Sequence, residues 1–280
     1  MSPKIIVISG PTASGKSKIA FDLAQKNNGA IINADAIQIY KELPILSAQP
    51  SKAEQQIVPH FLYGHYQYWQ QCSLASWLKL VKLAIDDCFA QKLLPIIVGG
   101  TGLYISALID GINHIPEIEQ AFYQQAENLY NSMTKDDFIK KFGKRNIIDK
   151  QKLLRYASVL LQTGKDMDFW HQQQKIKIFP SEYFCHYTLD LPRQLIYDNC
   201  NRRFATMLEN GAIEEVSNHK NIGNSKAIGF DEICHYLDGK INKEQLIDLA
   251  SQKTRNYAKR QLTWFRNKCK NAIKLSSNIY

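Results

Sequence analysis

The chain has 280 residues, 45% of them hydrophobic and 22% charged, a composition that excludes intrinsic disorder and supplies apolar material for one large core and a smaller one. Thirty-five Lys and Arg against 26 Asp and Glu leave a formal charge of +9, which favours a polyanionic partner over a neutral or acidic one. The six cysteines form no CxxC pair and no Cys/His cluster, no apolar run is long enough to span a membrane, and a strand already begins near Lys4; reduced thiols, a cytoplasmic location and no membrane association are expected.

In chain order, residues 4–8 (KIIVI) are a β-branched run too short for a helix and cut off by Gly10 and Pro11, which predicts a buried strand. After the stretch GPTASGKS at 10–17, apolar residues recur at Ile19, Ala20, Leu23 and Ala24 and stop at Asn27, Asn28 and Gly29, the pattern of a helix with a glycine terminus. AIINAD at 30–35 reads as a second strand. A helix over about 76–92 places Trp77, Leu80, Val81, Ala84, Ile85 and Cys88 on one stripe, and LPIIVGGTGLY at 94–104 repeats strand, glycine turn and helix. This alternation predicts an α/β protein, a P-loop NTPase-like parallel sheet with helices on both faces.

From residue 113 to about 180 the texture turns rich in Gln, Lys and Asn with helical spacing, which predicts a small helical insertion domain (113–180) in a core made of 1–112 and 181–280. Within it, residues 149–165 place Leu153, Leu154, Ala157, Leu160 and Leu161 at core spacing and end at Gly164. A strand follows at 183–191. The last helix is expected over 246–274, with an apolar seam at Ala258, Leu262, Phe265, Cys269 and Ile273; residues 252–274 hold eight Lys or Arg and no acid.

The stretch Gly10, Pro11, Thr12, Ala13, Ser14, Gly15, Lys16, Ser17 matches G-x-x-x-x-G-K-[ST] at every fixed position, between a strand and a helix. In such a loop, backbone N–H groups and the helix N-terminus converge on phosphate oxygens, Lys16 adds a charge, and the Ser17 hydroxyl can hold Mg²⁺. A nucleotide hydrolase also needs a carboxylate to organise metal and water, yet the strand LPIIVGG ends in glycines. Asp35, at the end of the second strand, is the best placed acid: either a base facing the phosphate loop or a turn residue capping local backbone.

Five blocks, GPTASGKS, NADAIQIY (33–40), VGGTGLYISAL (98–108), KAIGF (226–230) and KRQLTWFR (259–266), resemble in order and spacing the tRNA dimethylallyltransferases, and the resemblance runs from residue 4 to about 270. It implies transfer of a dimethylallyl group from dimethylallyl diphosphate to N6 of adenosine 37, beside the anticodon. The loop at 10–17 then holds a leaving group, with Mg²⁺ at Ser17 as cofactor and Lys226, Arg255 and Lys259 assisting. Asp35 matches the acid that accepts a hydrogen bond from the adenine amine, and Thr101 the threonine of the GGTGLY turn; Lys16, Asp35 and Thr101 are the catalytic candidates. The resemblance assigns tRNA contacts to Asp35, Ala36, Ile37 and Gln38, to Thr101, to Tyr123, and to Gln151, Lys152, Leu153, Leu154 and Arg155. The partners implied are a tRNA anticodon stem-loop and dimethylallyl diphosphate, and a monomer is expected.

Other readings stay open for several residues: a helix cap for Thr101, a surface amide for Gln38, a solvated helix residue for Arg155, a core or surface aromatic for Tyr123, and core packing for Trp264 and Phe265. The sequence departs from the family at Ala36, where Ser is usual, and at Gln49, where a lysine is common. The competing functions are an adenylate isopentenyltransferase acting on free AMP, ADP or ATP, a small-metabolite kinase or P-loop hydrolase, and a non-catalytic P-loop module that binds RNA.

Overall fold

The computed structural model describes residues 4–142, 147, 149–223 and 225–276. It divides into two compact units, one formed by 1–109 with 178–280 and the other by 110–177.

The larger unit is built on a six-stranded sheet. Its strands are β1 (Ile5–Ser9), β2 (Gly29–Asn33), β3 (His60–Phe61) and β4 (Leu94–Gly99), then, beyond the short strands β5 (Ile112–Asn113) and β6 (Lys175–Ile176) of the other unit, β7 (Phe184–Leu189) and β8 (Ile273–Leu275). The order is β3-β2-β4-β1-β7-β8 and every pairing is parallel. Alternation assigns the two faces. Ile8, Ile31, Ile96 and Val98 meet Ala20 and Ala24 of the helix Lys16–Lys26. Val7, Ile32 and Ile97, fully buried, point the other way. The helix Leu74–Ala90 packs against β2 and β4, with Trp77 fully buried and its indole N–H donating to the Asn33 carbonyl at 3.1 Å. Truncating that indole would cost about 3–5 kcal/mol.

The connection leaving β1 runs toward β2 on one side, and the one leaving β4 runs toward β7 on the other. Such a reversal opens a crevice beyond the C-terminal ends of the two strands, where GPTASGKS and GGTGLY both emerge. A second cluster of this unit gathers Leu43, Leu46, Phe204, Met207, Phe230, Ile233 and Leu246 from the helices Arg193–Glu209, Phe230–Leu237 and Lys243–Lys268 and from the short helix Pro44–Ser47.

Two sequence expectations are corrected here. The last helix ends at Lys268, because Cys269 leaves helical geometry (φ −104°, ψ 49°), and Ile273 lies in the edge strand β8 at 52% exposure rather than on a buried seam. In the helix Leu74–Ala90, Leu78 is buried while Leu80 is only half-buried, a rotation of the apolar stripe by a fraction of a turn.

The smaller unit consists of the helices Gln120–Ser132, Lys135–Phe142, Lys150–Thr163 and Met167–Gln172 and the antiparallel ribbon β5-β6. Ala126, Phe138, Phe142, Leu153 and Ala157 form its core. Asp149 starts its third helix by accepting the Lys152 N–H at 2.9 Å, and Gly164 ends it in the left-handed conformation.

Candidate active site

The phosphate loop turns into its helix at Gly15, which has φ 83°, a conformation costly for any residue with a Cβ; its carbonyl then accepts the N–H groups of Lys18 and Ile19. Lys16 is 8% exposed, and its ammonium donates to the Pro11 carbonyl at 3.3 Å. Burial pulls this ammonium down to about 8; Asp35 opposes the fall and Arg203 adds to it. A cation in that setting gains from any anion that enters. Ser17 is exposed at the start of the helix.

Opposite, the end of β2 is held by Asn33, which is fully buried. Its amide donates to the carbonyls of Asp35 and Leu62, both at 3.0 Å, and its oxygen accepts the Asp35 N–H at 2.8 Å. The Asp35 carboxylate accepts the Ile37 N–H at 2.9 Å, so the turn-capping role is real. It does not exclude the other, because Asp35 also lines the cavity described below. Thr101 Oγ1 accepts the Ala36 N–H at 2.9 Å, and the Thr101 N–H donates to Ala34 at 3.2 Å. The hydroxyl expected either at the reaction centre or at a helix cap thus fastens the acid-bearing turn to the GGTGLY turn.

A cavity of about 330 Å³ reaches from Thr12 of the loop to Asp35. Thr12, Asp35, Arg203, Lys226, Tyr257 and Arg260 supply polar groups to its lining, and Ile37, Leu46, Phe204, Met207 and Ala227 supply apolar ones. Burial, and secondarily the Asp35 charge, pushes the Tyr257 phenol well above its ordinary range, so it stays a neutral donor. Lys226 therefore faces the site. Arg255 and Lys259 do not line it: the Arg255 guanidinium is held by Asn201 Oδ1 at 2.6 Å and Gln252 Oε1 at 2.7 Å, and Lys259 is exposed. Sequence reading missed Arg203, Tyr257 and Arg260. Arg203 sits among buried Cys200, Phe204 and Met207 on one helical stripe, and a lone cation on an apolar stripe is a signal that was available.

Gln38 is no free surface amide. Its Nε2 donates to the carbonyls of Ser47 (3.0 Å) and Ala48 (2.7 Å), and Arg203 also donates to the Ser47 carbonyl, at 3.4 Å. Gln49, where the family commonly has lysine, is a strut with its Nε2 donating to the Tyr40 carbonyl at 2.7 Å. Trp264 packs on Gly102, where a Cβ would lie 2.3 Å from the indole. Phe265 is buried, so both aromatics serve packing.

Within the helical unit the structure brings two of the candidate residues together: Arg155 Nη1 donates to the Tyr123 hydroxyl at 2.6 Å, and the guanidinium lies 5.9 Å from the ring centre. Gln151 and Lys152 are exposed, Leu154 is half-buried, and Leu153 is fully buried in that unit's core, so its side chain has no surface to offer a partner.

Among the described residues no group of three or more His, Cys, Asp or Glu is arranged to hold a metal ion. The donor set at the loop nevertheless fits Mg²⁺, which keeps several waters and is held through phosphate oxygens plus one or two protein oxygens. Ser17 supplies such an oxygen, and it borders a small cavity shared with Gln38, Glu54, His60 and Tyr63.

The family model described as IPP transferase matches residues 38–268, and that described as Isopentenyl transferase matches residues 3–61. A tRNA dimethylallyltransferase of Ehrlichia ruminantium is 41% identical over 96% of this chain and 93% of its own length. Among solved structures, the tRNA isopentenylpyrophosphate transferase of Bacillus halodurans superposes with a TM-score of 0.69 at 30% identity, covering 98% of this chain and 90% of that one. A eukaryotic dimethylallyltransferase acting on tRNA superposes with a TM-score of 0.80 at 26% identity, covering 98% and 74%. A phosphate loop facing an acid-bearing turn, a match to the IPP transferase model over most of the length and these full-length relatives place the chain in the tRNA dimethylallyltransferase family.

Proposed function

We propose that this chain transfers the dimethylallyl group of dimethylallyl diphosphate to N6 of adenosine 37 in tRNA and releases diphosphate. The observation that carries the reading is one cavity that sets Thr12, in the loop with the buried Lys16, across from Asp35, with an apolar side made by Ile37, Leu46, Phe204, Met207 and Ala227. A diphosphate suits the first, an exocyclic amine the second and a five-carbon chain the third.

The N6 lone pair attacks the allylic C1, the C1–O bond breaks with its electron pair passing to diphosphate, and the N6 proton moves toward Asp35. An exocyclic aromatic amine is a weak nucleophile, so a fixed carboxylate that orients it and takes its proton contributes typically 10²–10⁴-fold. The Asn33 and Thr101 bonds keep that carboxylate's turn in place before the substrate arrives. The loop amides, Lys16, Arg203 and Lys226 stabilise the charge that gathers on the departing diphosphate. Mg²⁺ held at Ser17 would neutralise part of the same charge. The adenosine leaves its stack to enter, at a cost of about a few kcal/mol. The acid-free basic stretch at 252–274 in one unit and, in the other, Tyr123, Gln151, Lys152 and Arg155 each offer contacts to RNA, a use that free AMP would not require. No helix of the described residues is long and apolar enough to cross a membrane. A cytoplasmic, monomeric enzyme is part of this proposal.

The test is transfer of labelled dimethylallyl diphosphate, with Mg²⁺, to an anticodon stem-loop bearing adenosine 37 and in parallel to AMP. Label on the stem-loop alone is expected. Label on AMP alone would make the protein an adenylate isopentenyltransferase, and label on neither would reduce it to a phosphate-binding module.

A further inference from the structure

Gln261 belongs to the long basic helix, yet it is only 6% exposed and its side chain points away from the charged face. Its Oε1 accepts the Thr12 N–H of the phosphate loop at 2.8 Å, and its Nε2 donates to the Gly100 carbonyl of the GGTGLY turn at 2.9 Å. The partners fix the amide's orientation: a flip would set two donors against each other at Thr12 and two acceptors against each other at Gly100. The fit leaves no room for another arrangement, because a Cβ on Gly100 would lie 2.4 Å from Nε2.

These two bonds join segments 88 residues apart in sequence. Gly100 adjoins Thr101, whose Oγ1 holds the Ala36 N–H, and Ala36 adjoins Asp35. One connected path therefore runs from the loop to the acid: Thr12, Gln261, Gly100, Thr101, Ala36, Asp35. Both ends of that path line the cavity. We propose that Gln261 is a positioning residue that sets the separation between the phosphate loop, which holds the leaving group, and the turn that carries the acceptor's base. The catalytic part of the proposal rests on the prenyl-transfer reading above; the strut itself does not.

A single buried amide with complementary partners suits this task. An apolar residue of the same volume would fill the space, but it would leave the Thr12 N–H and the Gly100 carbonyl without partners and free to move apart. Displacement of reacting groups by about 1 Å costs on the order of 10²-fold in rate. The loss belongs in kcat, because the loop and the acid each remain intact and only their spacing changes.

The experiment compares Gln261→Met, Gly100→Ala, Gln261→Ala and the pair Gln261→Ala/Gly100→Ala with the wild-type protein. Gln261→Met is expected to lower kcat for stem-loop prenylation about 10- to 100-fold while KM for dimethylallyl diphosphate changes less than about threefold. A wild-type kcat, or a loss confined to KM, would overturn the proposal. Should Gln261→Met fold poorly, Gly100→Ala attacks the same contact from the other side and is expected to give the same kcat signature. Combined with Gln261→Ala it should cost much less than it does alone, since Nε2 is gone and only the Gly10 carbonyl, 3.3 Å away, stays close; fully additive costs would overturn the proposal. Amide hydrogen exchange at Thr12 reports the strut without any turnover. Exchange at least tenfold faster in Gln261→Met is expected, and unchanged exchange would refute the strut even if the wild-type protein proved to modify some other acceptor.

Discussion

The two units hold their candidate residues in opposite ways. In the α/β unit, the turns that carry Thr12, Asp35 and Leu46 to the cavity are tied by bonds that cross long stretches of sequence: Asn33 to Leu62, Thr101 to Ala36, Gln261 to Thr12 and Gly100, and the buried Glu215 accepting the N–H groups of Ile45 and Leu46 at 2.7 and 2.8 Å. In the helical unit, Gln151 and Lys152 stand in solvent and Arg155 finds Tyr123 on a neighbouring helix. The first arrangement fixes geometry before a ligand comes. The second presents charges whose effect depends on the ionic medium. Chemical steps should therefore fail steeply and specifically in one unit, and binding should weaken gradually in the other.

The steepest failure is expected at Asp35. Asp35→Asn keeps an oxygen able to accept the Ile37 N–H, so the turn survives while the base is lost. Turnover should fall at least ~100-fold, about 2.7 kcal/mol of transition-state stabilisation, with stem-loop binding held within a few-fold. Single-turnover rates together with a binding titration measure both. Unchanged turnover would remove Asp35 from the mechanism and leave it the turn residue that its hydrogen bond already makes it.

How much of this could be read from the sequence follows the same division. The turns at 10–17 and at GGTGLY were legible because each is a local device: glycines, a strand before and a helix after lie contiguous in the sequence. Leu153 and its neighbours were legible as core from spacing alone, and the same periodicity placed the helix Lys150–Thr163, while the other three helices of the smaller unit and its ribbon β5-β6 were not located. Tyr257 and Arg260 were not found, because a residue's arrival at the cavity depends on the phase of its helix against others far away in sequence; Arg203 was missed although its apolar stripe marked it. The family resemblance, carried onto the basic helix, pointed to Arg255 and Lys259. Its rotation instead presents Thr254, Tyr257 and Arg260 to the cavity and leaves Arg255 with Asn201 and Gln252. Gln261 lies three residues after Ala258 and four before Phe265, on the buried face, so its burial was predictable; its two partners were not, since they require the sheet order to be known.

A smaller effect on the chemical side is set by Lys16. Burial places its free-state titration at about 8, whereas a diphosphate beside it must raise that value. Below about pH 8 the lysine is already protonated and binding of the diphosphate should be nearly independent of pH. Above it, binding must take up one proton, so affinity falls by up to about tenfold for each pH unit until the raised value in the complex is passed. The same linkage runs opposite in sign for folding. The unfolded chain holds this proton up to about 10.5, so the ligand-free protein gains stability between about pH 8 and that value. Titration with dimethylallyl S-thiolodiphosphate, an unreactive analogue already fully ionised in this range, separates the protein's proton from the ligand's. A flat profile would mean that Lys16 does not meet the diphosphate.

The mildest change is expected at Arg155, and it tests the other half of the comparison. If the helical unit meets RNA through screened charge, Arg155→Ala should weaken stem-loop binding by a few-fold at moderate salt and lower the steepness of the salt dependence by about one phosphate contact, with kcat at saturating RNA untouched. Tyr123→Phe removes the hydroxyl that accepts from Nη1 and keeps the ring beneath the guanidinium, so it should lose less than Arg155→Ala and leave the salt slope as it was. Affinity measured across a series of salt concentrations distinguishes the cases. An unchanged slope in Arg155→Ala would return that residue to its role as the Tyr123 partner and shift the RNA-facing charge to the basic helix. A fall in kcat with the slope unchanged would mean that the helical unit, too, fixes geometry, and the contrast between the units would disappear.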